Sequence, residues 1–161
     1  MTMPWKQVQI ATLPAPGALC GAPYPGHPFG CPNYRKKSTC PPQAKRVEAL
    51  LDLRLPVYVV WNAFDFGAHC QRMRTLHPGW SKRQVECCLY WQAGARNHLR
   101  AEIKRAIASV SPVLPMVVLE TPEANGVNVT ETMFRAGIRL EWPPVTVAYQ
   151  VAVVGFEKKR G

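Results

Sequence analysis

VTVAYQVAVVGF (residues 145–156) is the strongest strand-forming run in the chain. Its valines and its tyrosine suit a pleated, packed surface. Pro143-Pro144 immediately before it marks where the preceding element must stop. Working back, IRLEW (138–142) reads as the beginning of a further strand. Asn128 and Glu131 match a capping box that opens a helix running to about Ala136, with Gly137 as the C-terminal stop. PMVVLET (115–121) reads as a strand. The strand–helix–strand order across 115–156 allows a right-handed crossover and a parallel pair.

Further upstream, LPVYVVWN (55–62) is a dense β-branched and aromatic run, hence a buried strand, and KQVQIAT (6–12) alternates weakly as a short one. PQAKRVEALLDLR (42–54) predicts a helix with Val47, Leu50 and Leu51 on one stripe, and 65–77 predicts a second helix. With Ser81 as N-cap, 82–110 reads as one long helix carrying Val85, Cys88, Leu89, Leu99 and Ile103 on its apolar face. The expectation is an α/β fold: a single domain over 1–161 with a mixed sheet, flanking helices and a Pro/Gly-rich, cysteine-ligated N-terminal loop.

That loop is CGAPYPGHPFGCPNYRKKSTCPP (20–42), with cysteines spaced C-x10-C-x8-C and prolines or glycines throughout. Proline removes backbone donors and fixes φ, so the segment is neither helix interior nor central strand. It lacks the apolar run to pack a core alone, so a metal, a cluster or disulfides must support it. No apolar run is long enough to span a bilayer, and MTMPWKQVQIATLPAPG lacks the basic-then-apolar pattern of a signal peptide. A cytoplasmic location without a membrane partner is expected. Thiols stay reduced there, which favours metal over disulfides.

Thiolates suit zinc or iron–sulfur clusters. Zinc fingers show close C-x2-4-C pairs, which this chain lacks, and wide spacing in a Pro-rich loop suits a larger centre. Cys20, Cys31 and Cys40 supply three ligands of a [4Fe–4S] cluster. Cys87 is the expected fourth, because Cys88 falls on the apolar stripe while Cys87 lines up with Trp91 and His98; Cys88 is its close rival. A three-thiolate cluster with an open iron is the remaining possibility. Arg35, Lys36 and Lys37 lie between two cysteines, where they would offset thiolate charge. Cys70 reads as a core thiol, and His69 and His77 as packing or substrate contacts.

The chain carries 20 Lys and Arg against 10 Asp and Glu, a net charge of +10. Such a balance points to an anionic partner: RNA, DNA or a nucleotide. Lys82, Arg83, Arg96, Arg100 and Lys104 form a basic strip on the predicted long helix, a candidate phosphate track. There is no P-loop, dinucleotide fingerprint, G-x-S-x-G or other nucleophile–base motif, so no catalytic residue is assigned.

Cys31-Pro-Asn-Tyr through Cys40-Pro41-Pro42, followed by PEANGVNVTETMFRAGIRLEW (122–142), resembles a family of small microbial proteins described as predicted metal-binding proteins. Those proteins carry a C-x8-C-P-P signature and a late MEAMGIDV…T…AG segment. The resemblance maps Cys31 and Cys40 onto the signature cysteines and Cys20 onto the one before them. Many members add a second, ferredoxin-like cysteine cluster in mid-chain, where this chain has only Cys70, Cys87 and Cys88. The resemblance implies a metal or cluster centre on the N-terminal loop and brings no established reaction.

The leading expectation is an iron–sulfur protein with a redox or sulfur-related role, served by a redox partner and acting on a nucleotide or RNA. A zinc-stabilised nucleic-acid-binding module without catalysis, and a structural or adaptor protein, are the alternatives.

Overall fold

A computed structural model describes residues 2–14, 20, 22–23 and 27–160. Gly21, Tyr24, Pro25 and Gly26 of the cysteine loop lie outside these. Four strands, β1 (Trp5–Gln7), β2 (Tyr58–Asp65), β3 (Val117–Leu119) and β4 (Val147–Gly155), form one sheet in the order β1-β2-β4-β3. β2 and β4 make its centre, paired in register from Tyr58↔Val154 to Asp65↔Val147. Helices flank the sheet, as an α/β reading requires, but every pairing is antiparallel. The parallel pair that 115–156 allows does not form: β3 and β4 run in opposite directions, with Leu119 opposite Val153.

Side chains alternate across the central pair, and each face has its own cover. On one face Val57, Val59, Val151 and Val153 pack with Val47 and Leu51 from α1 (Val47–Leu50) and its C-cap, and with Val129 and Met133 from α5 (Val129–Arg135). On the other, Val60, Ala152 and Val154 meet Leu99, Ile103 and Ala106 of α4 (Gln92–Val110). A third cluster joins Phe66 and Cys70 of α2 (Phe66–Leu76) to Val85 and Ala148. Burial of these aliphatic chains on both faces is the main force holding β2 and β4.

The capping signals of the sequence are realised in part: Asn128 caps α5, but its own N–H donates to Ala11 C=O and the Glu131 carboxylate turns to Arg135, so the expected box with Glu131 is only half formed. Asn128 Oδ1 accepts from Glu131 N–H at 3.1 Å at the start of α5, and Gly137 ends it with φ of 90°. Ser81 and Gln84 form a reciprocal box at the start of α3 (Lys82–Val85).

The single helix expected over 82–110 is three pieces: α3, a 3-10 turn at Cys88–Tyr90, and α4. Trp91 supplies the reason. Its ring stacks on Phe64 with centroids 4.9 Å apart and meets Phe66 edge-on, and its indole N–H donates to Glu86 C=O at 3.4 Å. Drawing this ring into the sheet-side aromatic cluster interrupts the helical ladder. Leu89 is consequently 83% exposed and Cys88 is exposed, so neither lies on an apolar stripe. Residues 138–142 form no strand, and the helix expected over 42–54 contracts to Val47–Leu50. The expected strand over 6–12 contracts to Trp5–Gln7, with an isolated bridge at Thr12.

Candidate metal centre and the groove beside it

Both stems of the cysteine loop are tied to one turn. Leu13 N–H donates to Gly126 C=O at 2.8 Å, and Asn125 Nδ2 donates to Lys45 C=O at 2.8 Å. Arg46 Nη2 donates to Leu13 C=O at 2.7 Å while its guanidinium pairs with Glu48. Gly126, at φ of 81°, lies directly against this guanidinium: a Cβ there would meet Nη1 at 3.0 Å. The glycine thus serves both the left-handed turn and the close approach.

Within the loop, turns follow one another. Cys31 N–H donates to Cys20 C=O at 2.7 Å, Tyr34 N–H to Cys31 C=O at 3.1 Å, Cys40 N–H to Lys37 C=O at 3.0 Å, and Ala44 N–H to Cys40 C=O at 2.9 Å. Arg35 adopts φ of 63°, unusual for a non-glycine residue. It is fixed by its N–H donating to Pro41 C=O and its C=O accepting from Gln43 Nε2, both at 2.8 Å. Arg35, Lys36 and Lys37 are exposed between the two cysteines.

Cys20, Cys31 and Cys40 are half-buried free thiols. Burial pushes the Cys20 thiol up, and Cys31, Cys40 and Glu123 push it further in the same direction. The three sulfurs therefore share one electrostatic neighbourhood in which accumulating thiolate charge is unfavourable and a cation would be welcome. As a donor set they fit a soft metal. Among the described residues no group of three or more His, Cys, Asp or Glu side chains is already close enough together to hold an ion.

Cys87 is not among the groups acting on Cys20. It sits half-buried between α3 and the 3-10 turn, its N–H donating to Gln84 C=O at 3.3 Å. Close to it in sequence, Trp80 stacks on His77 at 3.7 Å and lies 5.1 Å from Tyr90. Cys70 is a buried core thiol. His69 is 1% exposed and packs among Phe64, Phe66 and Trp91. Burial and the neighbouring Arg72 lower its pKa, so it stays neutral, as a packing histidine should.

The basic strip is divided between α3 and α4. Lys82 pairs with Glu86 at 3.3 Å, and Arg100 forks onto Glu120 through Nε at 3.1 Å and Nη2 at 3.2 Å. Arg83 and Lys104 are exposed. Arg96 stands apart from the other four, lining a groove of about 240 Å³ whose other walls include Glu123, Trp91 and Trp142 and whose floor is β4 from Val147 to Val151. Glu123 links this groove to the cysteines, since it acts on Cys20 and is itself acted on by Arg96. Its carboxyl is pushed up by the surrounding protein, although the residue keeps open surface. Glu123 and the groove were not legible in the sequence; the only signal was Pro143-Pro144 beside a strong strand.

No protein-family model, no curated protein and no solved structure matches this chain.

Proposed function

We propose that this protein binds a thiolate-ligated metal centre, a [4Fe–4S] cluster in the leading reading, on Cys20, Cys31 and Cys40. The observation that supports the reading is that Cys31 and Cys40 both raise the cost of ionising Cys20, from a loop built of consecutive turns. Cys87 is the proposed fourth thiolate, with Cys88 its rival and a three-thiolate centre with an open position as the remaining possibility. When bound, a cluster of that kind supplies a one-electron couple or an open iron for a substrate. The chain's own residues would hold it on the loop, and Glu123, a wall of the groove, would weigh on its charge as it does on the Cys20 thiol. A cytoplasmic redox or sulfur-related role fits this chemistry. The net charge of +10, with Arg83 and Lys104 exposed, supports an anionic partner such as RNA, DNA or a nucleotide.

Purification without oxygen, followed by iron, zinc and acid-labile sulfide analysis, tests the reading. A brown protein with iron and sulfide in equal amounts is expected. A colourless protein holding zinc would move the centre to a structural role on the same thiols. A metal-free protein would remove the proposal.

A further inference from the structure

β4 is paired from Val147 to Val154 on one flank and along only a third of its length on the other. Its register with β2 decides which backbone groups face which way. Trp61 N–H donates to Pro4 C=O at 2.9 Å, toward β1, so Trp61 and its opposite residue Val151 form a non-hydrogen-bonded pair. By the same alternation, the N–H and C=O groups of Tyr149 and Val151 point away from β2. β3 reaches only Val153 and Gly155 on that side. The next segment that could cover the edge, residues 138–144, runs along the groove without entering the ladder. Pro143 and Pro144 have no N–H to give, and the Glu141 carboxylate accepts from Val145 and Thr146 N–H at 2.8 and 2.9 Å, clamping the chain as a turn. Among the described residues, no hydrogen bond is made to the outward groups of Tyr149 and Val151. Backbone groups left open at a strand edge are a template for another strand.

We propose that this edge takes up an extended peptide segment carrying basic side chains, adding a short antiparallel or parallel strand beside β4. The groove over the edge has room for it, and Trp91 and Trp142 stand as apolar walls, Trp142 being 67% exposed. Glu120, Glu123 and Glu141 line the groove with Arg96; Arg100 forks onto Glu120 and the Glu141 carboxylate already accepts from Val145 and Thr146, which leaves a local excess of one negative charge on a chain whose overall charge is +10. This local reversal of sign selects lysine- or arginine-bearing segments and disfavours acidic ones. Main-chain bonds would give affinity, and alternate side chains would meet the carboxylates. Neither the open edge nor its acidic lining depends on a bound metal centre.

The test uses the acetylated, amidated peptide Val-Lys-Val-Lys-Val-Lys and the full-length protein, followed by amide hydrogen exchange and tryptophan fluorescence. Peptide should slow exchange at Tyr149 and Val151, and not at Tyr58, whose N–H already lies inside the sheet. The same peptide N-methylated at every residue, which has no peptide N–H donor on either edge, should bind about tenfold more weakly or worse, because two net hydrogen bonds are lost. Replacing its lysines by glutamate should weaken it as well. Tyr149→Pro removes an outward N–H and should also lose binding; if that variant does not fold, the N-methylated peptide on the native protein decides. Absence of binding, binding without protection at Tyr149 and Val151, or equal affinity for the N-methylated peptide would overturn the proposal. Protection of both amides in peptide-free protein that vanishes on dilution would overturn it in favour of a second copy of the chain.

Discussion

β4 and the cysteine loop hold their backbones by different means. In β4 the run from Val151 to Gly155 is buried, with aliphatic cover on both faces of the sheet. Between residues 27 and 44 only Gly30 and Pro41 are buried, and Phe29 is 94% exposed. The strand is held by water exclusion and needs no ligand. The loop is held by turns and by its tied stems, and Cys31 and Cys40 oppose the ionisation of Cys20. A ligand bound at the loop would therefore add stability where the chain itself supplies little, whereas the core cover of β4 is complete without one.

The contrast is most open to refutation in the core. Met133 is fully buried between α5 and the sheet, and Met133→Ala should cost about 2–5 kcal/mol in denaturant unfolding, with or without metal. An effect that appeared only in metal-loaded protein would place the metal, not the sheet, at the centre of stability. Cys31→Ser should behave in the opposite way. It should leave metal-stripped protein nearly unchanged and remove from loaded protein the linkage term, about 2.7 kcal/mol when free metal is at 100 times its Kd. Equal loss in both states would mean that Cys31 is a packing residue.

Smaller effects probe the same division. Asn128→Ala removes the N-cap of α5 and should cost about 1 kcal/mol by thermal or chemical unfolding. Titration gives a signed test of the loop. The Cys20 pKa is raised on folding, so the stability linked to its protonated form is complete below the ordinary thiol value of 9.0 and is lost as pH rises through the raised folded value. Metal-stripped wild type should therefore weaken above pH 9 more than Cys20→Ser does, and unfolding curves collected across that range decide. Smallest of all, Cys88→Ala should stay within about 0.5 kcal/mol, because that thiol is exposed. A large loss would restore the core position that helical periodicity assigns it.

What could be read from residues alone follows the same division. β2, α2, β4 and the caps at Ser81, Asn128 and Gly137 were legible because local pattern and tertiary burial agree there. The break between α3 and α4 was not. The periodicity of Val85, Cys88 and Leu89 is helical, but the helix is interrupted where Trp91 stacks on Phe64, and a contact with a distant strand leaves no local mark. The antiparallel sense of β3 is likewise set by the path of the connection and not by any side chain in it. For the site, the sequence yields the density of Cys20, Cys31 and Cys40. It does not yield Glu123, whose place depends on two hydrogen bonds from the loop stems to the 125–126 turn. Nor does it show that β4 is left open on one side.

If the loop's three thiols act together as one ligand set, losing any one of them must empty the site. Metal and sulfide content per chain should be measured side by side for anaerobically purified wild type and for the Cys20→Ser, Cys31→Ser and Cys40→Ser proteins. The expected result is a loaded wild type and a sharp loss of metal in every single variant, with circular dichroism of the sheet and helices retained. A metal-free wild type, or full occupancy in any of the three variants, would contradict it.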